Sequence, residues 1–203
     1  MGGLLFLKNT VATPKGIAQA RAEHGIRVLD QYAFTPRDLE GAAGLLLSQH
    51  VDERHLSEHR AALEGFLARG RAIAINGPFV LPALGVLAPY EPVGDGSAEP
   101  WALELASPHP ITEGVRAEDL TFRRGVVGFW GRGTSKPPRD AVVLTRYGRS
   151  GSPADWVWRA PGGGRLFVHP GNDVWGWATR STSAARVFPQ LLGWMRGETE
   201  VGA

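Results

Sequence analysis

The segment GGGRLFVHPGND, residues 162–173, gathers several chemistry-bearing residue types within a short span. A glycine turn feeds a brief apolar run that ends on His169, and Pro170 and Gly171 then turn the chain. An imidazole titrates near neutral pH, so a histidine at a strand end suits general acid–base work. It suits equally well a polar residue that closes the strand, or a ligand contact. Asn172, Asp173 and Trp175 follow at once and add amide, carboxyl and aromatic groups able to meet hydroxyls and a flat ring. Comparable residues stand where other apolar runs stop: Asn9 and Thr10, Gln49 and His50, Asn76 and Gly77. Turn chemistry enriches Asn, Asp and Gly at such places but does not account for two histidines. The set predicts a pocket.

Other candidates are weaker. His55 and His59 stand four apart with Glu58 between them, but the order is not His-Glu-x-x-His, and the pair reads as the flank of a helix. His50, His169 and Asp173 could be assembled into a metal set, yet the expectation is no metal and no organic cofactor. GRGTSK has the wrong lysine and glycine spacing for a phosphate-binding loop. Arg124 and Arg132, in RRGVVGFWGRG, are of the type that clamps an anion, against a background of arginines scattered along the chain. Seven tryptophans is a high number for this length. Trp156 and Trp158 share a strand face by the two-residue period, as Trp175 and Trp177 would if extended. Such rings stack on sugars, pack a core or fill a subunit contact.

The elements that must position these residues read as an alternating pattern. Residues 3–8, 26–32, 42–50 and 71–77 are apolar runs of strand length. Between them lie a helix over 13–25, capped by Thr13 and stopped by Gly25, a short helix opened by Thr35 and Pro36, and a strong helix over 52–70, capped by Asp52. Continuous apolar strands alternating with helices predict a parallel sheet covered on both faces. Residues 78–100 read as a long loop. Short strands follow at 101–106, 126–130, 141–147, 155–160 and 165–170, the last two forming a hairpin at the glycines. A helix over 183–197 closes the chain, with Pro189 as a kink site. The expectation is a single α/β domain over 1–203, with ligands bound beyond the carboxyl ends of the strands.

This order, the elbow AIAINGP, the segment HPITEGV (109–115) and the closing GGGRLFVHPG resemble the class I glutamine amidotransferase-like superfamily, and within it the ThuA-like branch linked to sugar utilisation. The resemblance implies a flavodoxin-like three-layer sandwich with a mostly parallel central sheet and a late β-hairpin. It also places Asn76 at or beside the family's cysteine nucleophile, and His169-Pro170-Gly171 where His-Pro-Glu would stand. Asparagine has no basic lone pair to attack with, and no orienting glutamate follows His169. Glutaminase chemistry is therefore excluded, with Asp173 the nearest substitute carboxylate in sequence.

Composition narrows the class further. The 203 residues are 43% hydrophobic and 21% charged, as in an ordinary globular protein. No cysteine is present, which removes disulfides, thiolate metal sites and a thiol nucleophile together. The formal charge is +2 without a basic run, so no nucleic-acid face is expected. No segment has the length of a membrane span or the layout of a signal peptide, which predicts a cytoplasmic protein. Taken together, the expected function is binding of, or action on, a carbohydrate or related polyol. His169 is the acid–base candidate, and Asn76, Gly77, His50, Asn172, Asp173 and Trp175 are the ligand contacts. The rival expectation is a non-catalytic binding or assembly module, a homo-oligomer with tryptophans at its interface.

Overall fold

The computed structural model describes residues 2–94 and 101–199. Four strands, β1 (Leu4–Lys8), β2 (Ile26–Asp30), β3 (Gly44–Leu47) and β4 (Ala72–Asn76), alternate with helices. Helix α1 (Lys15–His24) joins β1 to β2, and α2 (Glu53–Glu58) and α3 (Arg60–Ala68) join β3 to β4. Strands β5 (Tyr90–Pro92) and β7 (Gly133–Ser135) pair antiparallel as a small separate sheet. Strands β6 (Leu103–Leu105), β8 (Val142–Tyr147), β9 (Pro153–Arg159) and β10 (Arg165–His169) complete the main sheet, while α4 (Ala117–Thr121) and α5 (Val187–Arg196) lie outside it. The eight-stranded order is β2-β1-β3-β4-β10-β9-β8-β6. The first five strands in that order are parallel, and β9, β8 and β6 extend the sheet antiparallel.

Alternate residues of each strand feed two cores. Leu4, Phe6, Leu46, Ala74 and Phe167 join Ile17 of α1 and Leu191 of α5 on one face. Leu5, Leu7, Leu45, Ile75 and Val168 join Leu56, Leu63 and Phe66 of α2 and α3 on the other. Burying a side chain such as Leu46 contributes roughly 1.5–3 kcal/mol before the entropy of ordering it, so central strands tolerate almost no polar residue. The polar exceptions lie at the ends, where the site is. No helix among the described residues is long and apolar enough to cross a membrane.

Several boundaries differ from expectation. Pro14 rather than Thr13 takes the cap position of α1, with no side-chain bond there, while Gly25 ends the helix at φ 60° as expected. The helix expected over 52–70 is broken at His59 (φ −98°, ψ 10°), giving α2 and α3, and Asp52 caps the first through Arg54 and His55 amides. Residues 126–130 form no strand: an isolated Arg123–Val126 bridge and a run of bends replace it. The expected loop over 78–100 contains β5 as far as it is described, and its residues 95–100 lie outside the described set. Pro189 is the third residue of α5, where its missing N–H needs no intrahelical acceptor, so it ends no hydrogen-bond ladder.

Candidate functional site

The sheet order reverses direction between β1 and β3, and a crevice opens beyond the carboxyl ends of those strands. A cavity of about 500 Å³ occupies it, lined by Thr10 after β1, by Gln49 and His50 after β3, and by Asn172, Asp173 and Trp175 after β10. Phe129, Arg123 and Trp177 close the far wall. A second cavity of about 290 Å³ shares Gln49, Phe129 and Asn172 with the first and continues toward Tyr90 and Arg132. Four of the expected contacts therefore meet in one place: His50, Asn172, Asp173 and Trp175.

Asp173 is nearly buried, and its carboxylate accepts from Ser48 Oγ at 2.8 Å and the Gln49 amide at 2.7 Å. Burial raises its pKa above the ordinary aspartate value, against the pull of those two hydrogen bonds. His50 is exposed at the rim. Asn172 donates its side-chain amide to the Phe129 carbonyl at 2.5 Å. Trp175 behaves differently from the stacking wall expected of it. Its ring is 1% exposed and packs edge-on to Phe6 and Phe188, at 5.1 and 5.9 Å between centroids. Its indole N–H is buried and has no acceptor among the described residues. Residues 174–176 form a short 3-10 turn rather than an extended run, so Trp175 and Trp177 do not share a strand face.

His169 lies beneath the cavity rather than in it. It is 1% exposed, with Nδ1 2.5 Å from Asp155 Oδ1 and Nε2 2.7 Å from the Asn172 carbonyl. The second oxygen of Asp155 accepts from Trp130 Nε1 at 2.8 Å and from Thr145 Oγ1. The Trp130 ring stands over the imidazole at 4.8 Å. Both ring nitrogens are thus engaged inside the protein. An acid–base group needs one of them within reach of a reacting atom, which corrects the expectation of an imidazole open to ligand. The carboxylate that holds it is Asp155 on β9, not Asp173. Gly171 cannot be other than small: a Cβ there would meet the Trp130 carbonyl oxygen at 2.1 Å and His169 Nε2 at 2.7 Å. No carboxylate side chain could stand in that position.

Asn76 pairs in register with His169 across β4 and β10, so both side chains share a sheet face as expected. It too is fully buried and internally bonded. Its amide donates to the Leu47 carbonyl at 3.1 Å, and its oxygen accepts from the Val174 amide at 3.2 Å. Asn76 cross-links three strand-end segments and does not line the cavity. The unusual backbone falls on Gly77 instead, at φ 112°, where a Cβ would lie 2.6 Å from Gln49 Cα. The segment HPITEGV is likewise architectural: His109 caps a short 3-10 turn, its Nδ1 accepting from the Ile111 amide at 3.2 Å.

Among the described residues, no three His, Cys, Asp or Glu side chains group to hold a metal ion. Trp130, Trp156, Trp175, Trp177 and Trp194 are buried, and Trp101 and Trp158 are half-buried. Trp156 and Trp158 do share a face, packed with the α2–α3 core. Arg132 donates to the Gly128 carbonyl and stacks over Trp101 at 4.6 Å, whereas Arg124 sits in a tight turn beyond the cavity. Sequence reasoning missed Asp155, Phe129 and Arg123, and weighed Trp177 only as a ring beside Trp175. For Asp155 a signal existed, since an acid inside ADWVW stands out in an apolar hairpin strand.

No protein-family model matches the chain, and no curated protein matches it. Among solved structures it is similar to the N-terminal domain of mmIFT52, with a TM-score of 0.63 and 11% identity over 100% of both chains. At that identity the likeness is one of fold. Gan42B, a GH42 beta-galactosidase, gives a TM-score of 0.46 and 14% identity over 96% of this chain and 30% of its own.

Proposed function

We propose that the chain is a small-molecule binding protein whose crevice, at the reversal between β1 and β3, takes a carbohydrate or related polyol. We also propose that it is a flavodoxin-like, ThuA-related member of the class I glutamine amidotransferase-like group whose nucleophile and histidine positions have become structural. The order of its five parallel strands supports the flavodoxin-like reading. The register of Asn76 with His169 supports the wider relationship. Binding without acid–base turnover at His169 follows from the two occupied ring nitrogens.

One observation carries the ligand reading. The 500 Å³ crevice is lined by Trp175, whose buried indole N–H lacks an acceptor, beside Asp173, Asn172 and Gln49. A buried unpaired donor is costly, and a ligand hydroxyl that reached this N–H from the crevice would relieve it. Phe129 and Trp177 supply an apolar wall, and Asp173 an acceptor for hydroxyl hydrogens.

The test is ligand-observed NMR with hexoses, linear polyols, sugar acids and sugar phosphates. Trp175→Phe keeps an aromatic ring and removes the N–H, and should weaken binding about fivefold, the equivalent of one ordinary hydrogen bond. Asp173→Asn should weaken it further. Absence of binding by every member of the panel, or binding unchanged in both variants, would refute the proposal.

A further inference from the structure

Beside the crevice, across Trp177, lies another cavity of about 380 Å³, lined by Arg123, Arg124, Arg180 and the hydroxyl residues Thr179, Ser181 and Thr182. Arg123 and Trp177 line both cavities, so the two adjoin. The Arg123 guanidinium is held between two rings, 5.1 Å from the Phe129 centroid and 5.7 Å from that of Trp177. Stacking of this kind fixes the plane of the group while leaving its N–H edges free to donate.

Charge in this corner is unbalanced. Among the described residues none of Arg123, Arg124 and Arg180 forms an ion pair, and the Thr179, Ser181 and Thr182 hydroxyls have no hydrogen-bond partner. The one carboxylate lining the cavity, Asp119, is already engaged by Arg116, at 3.3 Å, and by the Ser183 amide and hydroxyl, at 3.0 and 2.5 Å. Burial, and then the charges of Arg180 and Arg124, hold the Arg123 pKa below the ordinary arginine value. Arg124 is also the only non-glycine residue with positive φ among the described residues, at 53°. It shares a two-residue turn with Gly125, closed by mutual hydrogen bonds between Arg123 and Val126. An arginine kept in a conformation that glycine or asparagine would adopt more readily, at a cavity rim, points to a use for its side chain.

We infer that Arg123, Arg124 and Arg180 form an oxyanion pocket that takes the phosphate group of a phosphorylated polyol, whose hydroxylated body lies in the adjoining crevice. Guanidinium N–H pairs match phosphate oxygens two at a time, and the free hydroxyls on 179–182 can complete the shell. A phosphate monoester carries nearly two negative charges near neutral pH and balances three cations better than a single carboxylate does. The inference rests on the polyol reading of the crevice for the body of the ligand, but not for its anionic end.

The experiment titrates the intact protein with inorganic phosphate, followed by 31P NMR, and in parallel with glucose, glucose 6-phosphate and glucuronate. Wild type should bind inorganic phosphate saturably, more weakly at high salt, and bind glucose 6-phosphate at least about tenfold more tightly than glucose. Arg180→Gln and Arg124→Gly lie on exposed or half-exposed positions and should fold. Each should weaken phosphate about tenfold and leave glucose unchanged. Arg123→Gln should weaken phosphate as well and, because Arg123 also lines the crevice, weaken glucose with it. No saturable phosphate binding, or wild-type phosphate affinity in both Arg180→Gln and Arg124→Gly, overturns the pocket. Glucuronate binding as tightly as glucose 6-phosphate overturns the assignment to phosphate. Sugars that bind where phosphate does not leave the polyol reading standing and this inference refuted; phosphate that binds where no sugar contributes does the reverse.

Discussion

Replacing Asp155 by alanine tests whether the His169 network serves stability or chemistry. Asp155 is 2% exposed and accepts from three side chains: His169 Nδ1 at 2.5 Å, Trp130 Nε1 at 2.8 Å and Thr145 Oγ1. Its removal leaves a buried indole N–H and a buried imidazole nitrogen unpaired, because Trp130, Thr145 and His169 are all at most 2% exposed. A buried polar group stripped of its partner costs about 1–3 kcal/mol, and breaking a buried pair such as Asp155–His169 costs about 3–5 kcal/mol. These overlap, so the expected loss is about 4 kcal/mol. Against a total of roughly 5–15 kcal/mol that is a severe effect. Asp155→Asn keeps the shape and one acceptor, and should lose about half as much. Urea unfolding, followed by tryptophan fluorescence and far-UV circular dichroism with m unchanged, measures both. A triad-like orienting role predicts the opposite: near-wild-type stability with lost turnover. A loss under about 1 kcal/mol for Asp155→Ala would refute the structural assignment.

Two further outcomes follow from the same architecture. Burial, and then the Arg159 charge, lowers the His109 pKa from 6.5 to about 4, so the folded state resists a proton that the unfolded chain accepts. Stability should therefore be full above pH 6.5 and fall between pH 6.5 and 4, by about 1–2 kcal/mol once solvent screening is allowed for. Urea midpoints at pH 7.5 and 5, wild type against His109→Asn, would show it, and the same fall in the variant would refute it. Gly171→Ala should destabilise by roughly 2 kcal/mol or more, because its methyl group meets the Trp130 carbonyl oxygen at 2.1 Å. An unchanged thermal midpoint would mean that the loop shifts freely.

What could be read in advance was the part governed by period and by strand ends. Apolar runs such as LLFL and AIAI place the parallel strands, and the residues just beyond them, His50, Asn172 and Asp173, do meet in a cavity. The Asp155–His169 contact was also legible. In the β9–β10 hairpin, Arg159 pairs with Arg165 and Trp156 with Val168, each pair equidistant from Gly162. The same symmetry sets Asp155 opposite His169. Sequence distance, by contrast, singled out Asp173, four residues away but bonded to Ser48 and Gln49. The cavity's outer wall was not legible, because Arg123, Phe129 and Trp177 are brought together by loops without a period. The break at His59 was hidden for another reason: Leu56 and Leu63 keep the helical stripe across it.

Burial of His169 does not disconnect it from the cavity. Its Nε2 holds the Asn172 carbonyl, and the Asn172 amide N–H is anchored on the Trp130 carbonyl at 3.0 Å. The Asn172 side chain then fixes the Phe129 carbonyl, and Asn172 and Phe129 line both the crevice and its extension toward Tyr90. Asp155, His169, Asn172 and Phe129 thus form one chain of contacts, from a buried carboxylate to the aromatic wall that carries Arg123. A site on a rigid strand end is held more exactly than one on a free loop. In this fold the imidazole acts on the crevice by positioning the loop that lines it, and that role requires both of its nitrogens to be occupied.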